Sequence, residues 1–381
     1  MTLYIDLHAI QTVPPSNINR DETGAPKTAT FGGVPRHRVS SQAWKRAIRK
    51  DFKERLPQDQ LGVRTKRVIS KIVVRTQELV VERGLDESDW SAERIGEIAE
   101  AILKAGKITV EKKDKKSETD NEDLTELPQS RYLIFLSDQQ ITNVARAILE
   151  DPDQKWTKKV VDPLLDQDHS VDIAMFGRMI ADEPAYNVDA AVQVAHAIGV
   201  GPSEPEFDYF TAVDDEVEDA EETGAGMIGT VQMMSSTLYR YATVSVDSLL
   251  ANLGDAEVTK AAVEAFIQAF IQSLPSGKIN TFANQTLPEL VVVSLRNDRP
   301  VSYVNAFEEP VLGDADGGRR HETVRRLVDE ERGLEEMYGM SPTKSWVLAA
   351  RSIAETATQL GELSTLSELV GNVRFELDAY L

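Results

Sequence analysis

An α+β fold is expected from three features of the sequence. Segments of alternating apolar character recur at Leu3–Val13, Val188–Val200 and Leu238–Val246, and a short apolar run follows at Leu290–Leu295. Helical spacing of apolar residues marks the stretch after Ser40 and the stretch 256–274. A long, mainly helical segment, about 60–180, separates the first helix from the second strand.

Leu3, Ile5, Leu7, Ala9 and Val13 share one parity, as in a half-buried strand. A loop rich in Pro, Asn and Gly follows, from Pro14 to Pro35, and Ser40 or Ser41 then caps a helix running to about Leu56. In the helical segment Ile95, Ile98, Ala99, Ile102 and Leu103, and later Ile141, Val144, Ala145 and Ile148, follow helical spacing. Between them Lys112–Glu126 has almost no apolar residues and reads as a loop. Strand parity returns at Val188–Val200 and at Leu238–Val246. Val263, Phe266, Ile267, Phe270, Ile271 and Leu274 make an amphipathic helix, Leu290–Leu295 a buried strand and Val301–Phe307 a further strand. From about Glu322 short helices alternate with polar loops. The strongest elements give strand, helix, strand, strand, helix, strand, the split βαβ order of ferredoxin-like and RNA-recognition folds. A helical insertion follows the first helix, and an acidic insertion separates the second and third strands.

The 381-residue chain contains no cysteine, which excludes a disulfide scaffold, a thiolate metal site and a cysteine nucleophile. No apolar run approaches the ~20 residues that span a bilayer, and Met1–Gln11 reads as a strand, so the expected location is the cytoplasm. The net charge of −21 is unevenly distributed. Lys27–Arg75 holds 14 Lys and Arg against 3 acids, or +11, and the remainder holds 28 against 60, or −32. A polyanion responds to the field within about a Debye length, ~8 Å, rather than to the total. The basic stretch is therefore a candidate nucleic-acid surface; a solvated helix face is the plainer reading.

The segment Phe31–Lys50 concentrates the chemistry. On a helix Gln42, Lys45, Arg46, Arg49 and Lys53 share one face, while Trp44, Ala47, Ile48 and Phe52 share the other. The helix N-terminus and its serines favour a phosphate, and Gly32-Gly33 allows close approach of backbone to a ligand. No Gly-Lys-Ser/Thr follows and no third glycine completes a dinucleotide fingerprint, so no cofactor is expected. None of the five histidines has another at i+2, i+3 or i+4, so no two-histidine metal site lies on one element. His8 and His196 sit on strands, where a histidine is usually structural.

Several segments resemble the CasC family, the backbone subunit of the type I-E CRISPR surveillance complex Cascade. They are Pro15–Asp21, Phe31-Gly32-Gly33, Arg36–Gln42, Lys45–Lys50, Val171–Met179, Ala195–Ile198, Phe207–Asp215, Leu238–Ala242 and Asn305–Glu308, in order over about residues 1–310. The resemblance implies a non-catalytic subunit with an RNA-recognition-like palm (1–58 and 185–381), helical fingers (59–184) and a β-hairpin thumb at about 209–237. It implies several copies stacked along the crRNA spacer, leaving bases free to pair with target DNA, beside the large subunit, the small subunit, CasD and CasE. Carried over by position, Arg20, Lys27, Ser40, Gln42, Lys45, Arg46 and Arg49 hold the guide backbone and Met179 lies against its bases. Tyr209, Phe210, Thr211 and Val213 lead into the thumb, and Lys155, Lys158 and Lys159 are candidate contacts to target DNA. Asp214–Glu222, with seven acids in nine residues, departs from the pattern and is expected at an outward tip, with Met227–Met234 returning on the nucleic-acid side.

Two enzymatic rivals use the same fold: an RNA-processing nuclease with His8 as general acid/base, and a metal-dependent ribonuclease using a loop aspartate, Asp21 being the nearest candidate. A protein-interaction scaffold that binds no RNA is a third.

Overall fold

Strand β1 (Tyr4–Ser16) is the spine of the sheet in the computed structural model, which describes residues 2–112, 127–212, 227–313 and 318–381. The chain divides into two compact units. The first comprises 1–52, 193–246 and 263–381; the second comprises 53–192 and 247–262.

In chain order the first unit contains β1, β2 (Thr28–Phe31), β3 (Val34–Val39), α1 (Ser41–Asp51), β4 (Ala197–Gly199), β5 (Glu206–Ala212) and β6 (Met227–Ser245). The second part of α2 (Ala256–Gln272) follows, then β7 (Leu290–Arg296), α3 (Gly318–Tyr338), β8 (Lys344–Ala349), β9 (Glu362–Leu363) and α4 (Leu366–Tyr380). Along the sheet the order is β9-β8-β7-β1-β6-β4-β3-β2. β1 is antiparallel to both β6 and β7, and β6 is antiparallel to β4. The four strands read as the core from sequence thus lie in the order fourth, first, third, second, as the split βαβ pattern requires.

β1 is not half-buried. Asp6, His8 and Ile10 are as buried as Ile5, Leu7 and Ala9, because both sheet faces are covered. On the first face Trp44 of α1 and Phe270 of α2 sandwich the Arg240 guanidinium of β6, 3.7 and 4.4 Å from the ring centroids. That guanidinium also donates to Gln11 Oε1 at 2.6 Å and to the Phe270 carbonyl. On the second face Tyr303, Phe307, Val311, Val324, Leu327 and Val328 pack over Ile10, Tyr239 and Val292. Polar side chains on this face form one network. Arg296 pairs with Asp6 at 3.2 Å and donates to Tyr303 Oη at 2.6 Å. Tyr303 donates to Glu331 at 2.9 Å, and the His8 ring stacks on it at 4.3 Å.

Three expectations are corrected. Val301–Phe307 is not a strand: Val304–Phe307 is a 3-10 turn whose side chains cap the second face. The region after Glu322 contains most of one long helix, α3, a second of 15 residues, α4, and two sheet strands, β8 and β9. The loop reaching Pro35 contains a hairpin, β2–β3, whose two-residue turn uses Gly32 and Gly33 at φ +58° and +77°. A Cβ on Gly32 would lie 1.6 Å from the Glu308 carbonyl oxygen, so this glycine makes room for the protein's own backbone rather than for a ligand.

The second unit is mainly helical. Val68–Glu82, Ala92–Ala105 and Asp138–Glu150 pack through Ile69, Ile72, Ile95, Ile102, Val144 and Ile148, joined by the short helix Lys158–Asp166. Ser91 caps the second of these helices, and a Ser137–Gln140 capping box starts the third. Among the described residues no helix is long and apolar enough to cross a membrane.

Candidate nucleic-acid interface

The start of α1 is fixed from three sides. Ser40 is the N-cap: its hydroxyl accepts from Ala43 N at 3.3 Å, and its own N–H donates to Asn19 Oδ1 at 2.8 Å. Ser41 N–H donates to His196 Nδ1 at 3.0 Å. Partial burial, then the charges of Arg38 and Lys27, lowers the His196 pKa and favours the neutral ring that can accept this bond. The backbone of Lys27 is held between Asn19 O and Arg38 N. Lys27 and Ser40 therefore meet at one end of the helix; Ser40 is buried and engaged as a cap.

Along α1, Trp44, Ala47 and Ile48 are buried, while Gln42, Arg46 and Lys50 are exposed and Lys45 and Arg49 are half-buried. Partial burial lowers the Lys45 pKa. No acid occupies the first turn, so no carboxylate there offsets the positive end of the helix, although Ala43 N and Ser41 N are already taken by Ser40 and His196. Arg46 and Lys50 open onto a cleft of about 880 Å³, whose other lining includes Arg20, Asp21, Glu22, Asp51 and the segment Ser273–Lys278. Among the described residues Arg20, Lys27, Arg46 and Lys50 enter no ion pair. The Asp21 carboxylate is turned to its own loop, accepting from Thr23 N, Thr23 Oγ1 and Ala25 N, and these bonds lower its pKa.

Residue type alone does not separate ligand groups from structural ones in this motif. Arg36 is wholly buried, and its guanidinium donates to the carbonyls of Gly199, Val200, Phe307 and Glu308 at 2.9–3.1 Å. His37 is buried against Ser236 Oγ at 2.6 Å, and burial pushes its pKa down to about 4. In the other direction, Ser273 and Lys278 line the cleft more than two hundred residues after Lys50, with no local signal to join them to it.

β5 pairs with the distal part of β6, from Glu206↔Met233 to Ala212↔Met227, as a hairpin arm. Phe207 and Tyr209 are 68% and 62% exposed on it, and Phe210 lies across Gly229, whose added Cβ would stand 2.4 Å from the ring. The backbone of Thr211 pairs with Ile228. Val213 and Asp214–Glu222 lie outside the described residues, as does most of the Lys112–Glu126 stretch.

Met179 and the three lysines belong to the second unit. Met179 is 79% exposed, not a core methionine. The buried Arg178 beside it donates to Tyr186 O at 2.8 Å and pairs with Asp166 at 3.1 Å, so the segment is clamped where Met179 emerges. Lys158 is engaged with Asp162 at 3.0 Å and lies over the Tyr186 ring, whereas Lys155 and Lys159 are exposed.

The histidine of the RNA-processing reading lacks accessible acid–base geometry. His8 is fully buried, bonded to Tyr239 Oη at 2.8 Å, and burial together with Arg296 pushes its pKa down to about 3. A ring held neutral out of reach of solvent does not exchange a proton with a substrate. Among the described residues no group of three His, Asp or Glu converges as metal ligands.

Residues 5–372 match the family described as CT1975-like protein. The chain belongs to this family. It is also similar to a chain of a solved structure described as "CRISPR RNA-guided surveillance complex, pre-nicking", with 34% identity and a TM-score of 0.78 over 98% of this chain and 100% of that one. A chain of a second, described as "CRISPR RNA-guided surveillance complex", shares 30% identity at a TM-score of 0.69 over 98% and 99%. No curated protein matches the sequence. The resemblance read from the motifs is thus met at the level of a subunit of the kind found in CRISPR RNA-guided surveillance complexes.

Proposed function

We propose that this CT1975-like chain is the CasC-type backbone subunit of a type I-E surveillance complex, gripping the crRNA spacer by its phosphates and leaving the bases to pair with target DNA. The observation that carries this reading is the row of cations on α1, exposed or half-buried, beside an open cleft, with Arg20, Arg46 and Lys50 in no ion pair among the described residues. Such groups neutralise phosphates regardless of base sequence. The route is also constrained by exclusion. Single RNA-recognition domains stack bases on an open sheet face, but here both faces are covered. RNA is left with the loops and helix at the rim, where the cations are.

In this reading the first unit is the palm, the helical unit supplies the fingers and the β5–β6 arm is the thumb, presenting Phe207, Tyr209 and Phe210 to nucleic acid. Met179, exposed and rigidly presented, lies against bases. Copies repeat along one RNA strand, with the other Cascade subunits at its ends and side, and the subunit positions the RNA without cutting it. Co-expression with a CRISPR array, followed by mass measurement of the purified material with and without ribonuclease, tests this. The expected result is a multi-copy particle carrying uncut guide that falls to smaller species when the RNA is digested. A ribonuclease-insensitive monomer free of RNA contradicts it.

A further inference from the structure

The wall of the cleft opposite α1 is unexplained by the residues so far assigned to RNA. It is formed by Ser273–Lys278, the segment that leaves the end of α2. Its position is fixed by contact rather than by chance: a Cβ on Gly277 would lie 2.4 Å from the Ile18 carbonyl oxygen, so the segment presses on the backbone that leads into Arg20. Two features within it stand out, and the first is costly unless something binds there. Ser273 is 8% exposed and lines the cleft, and its hydroxyl has no hydrogen-bond partner. Burying a hydroxyl without a partner is unfavourable. Lys278 holds φ at +46°, a conformation that side-chain-bearing residues rarely adopt, and among the described residues its ammonium enters no ion pair. A glycine would be the easier residue there; a lysine adds a cation to the cleft that Arg46 and Lys50 also line.

We propose that Ser273 and Lys278 form a second phosphate-holding wall, so that one phosphodiester of single-stranded RNA is gripped from both sides of the cleft. The Ser273 hydroxyl donates to a non-bridging oxygen, and Lys278 shares the phosphate charge with Arg46 and Lys50. The three carboxylates lining the cleft limit its net charge and leave room for a monoanionic phosphodiester rather than for a cluster of phosphates. This inference rests on the RNA-gripping reading above and adds two residues to it.

The test is binding of a fluorescein-labelled mixed-sequence single-stranded RNA to the full chain, followed by anisotropy over a salt series. Lys278→Gly removes the ammonium while suiting the backbone. It is expected to lower affinity several-fold and to reduce the slope of log K against log salt by about 0.7, the contribution of one contact to a single strand. Lys278→Arg is expected to keep the slope. Ser273→Ala removes an uncharged donor, so affinity falls about two- to five-fold with the slope unchanged, while the melting temperature of the RNA-free chain holds or rises because the orphaned hydroxyl is gone. Should Lys278→Gly and Ser273→Ala bind like the unaltered chain while Arg46→Ala weakens binding, the second wall is refuted and the α1 reading stands. Should Arg46→Ala and Lys50→Ala also leave binding unchanged, the RNA-gripping reading fails with it.

Discussion

Arg36 and Arg46, ten positions apart in one basic segment, have opposite roles. Arg36 serves four carbonyls in the core; Arg46 faces the open cleft. Arg36→Ala strands those acceptors and is expected to cost at least ~3 kcal/mol of stability in denaturant titration. Arg46→Ala is expected to leave the titration unchanged and to weaken RNA binding. An equal loss of stability from both would contradict their placement. The sequence could not separate them, since both are arginines of one basic segment, and only the return of Gly199 and Phe307 to Arg36 makes it structural. A second set of buried groups carries a pH dependence. Burial pushes the Glu331 carboxyl up to about 7 and that of Asp6 up to about 6. A raised carboxylate binds its proton more tightly in the folded state, so its contribution is full below the unfolded value and is lost as pH rises through the folded one. His8, pushed down to about 3, acts oppositely: its contribution is present above the unfolded histidine value and lost as pH falls. Comparing Glu331→Gln with the unaltered chain cancels the other two groups. The variant is expected to gain on the order of 3 kcal/mol in relative stability between about pH 4.5 and about pH 7.5, and parallel stability curves would refute that assignment.

The strands and helices were legible where one local period dominates. β1, α1, α2 and β7 follow from parity or helical spacing, and Ser40 as the cap follows from its position before an apolar-periodic run. What escaped was set by long-range cover. Asp6 and His8 look like solvent-facing positions until residues 303–331 close over them, and β8 reads as irregular until β7 offers it a neighbour. The hairpin arm is the opposite case: expected from the family resemblance and not from local periodicity, it stands away from any core cluster, with its aromatic residues exposed. Replacing Phe207 and Tyr209 with Ala should therefore leave thermal unfolding within about 1 °C, since exposed side chains contribute little to stability. The same replacement should shorten the particles that form on guide RNA, as read by mass photometry. Unchanged particle length would exclude the arm from RNA or neighbour contact.

A chain with a net charge of −21 grips a polyanion, in this reading, because its charge is segregated. The +11 segment includes α1 and the hairpin before it, and the acidic remainder discourages phosphate elsewhere. The candidate site was visible in sequence to the extent that it is local: α1 and its preceding loop. Its far wall was not, because Ser273 and Lys278 are brought to Arg46 only by the packing of α2 and by Gly277 against Ile18. Photo-cross-linking of 4-thiouridine guides of two unrelated sequences, with peptide mapping by mass spectrometry, bears most directly on this arrangement. Adducts in residues 36–53 with both guides are expected. Guides that attach elsewhere and leave α1 unmodified would show that its cations do not hold the strand.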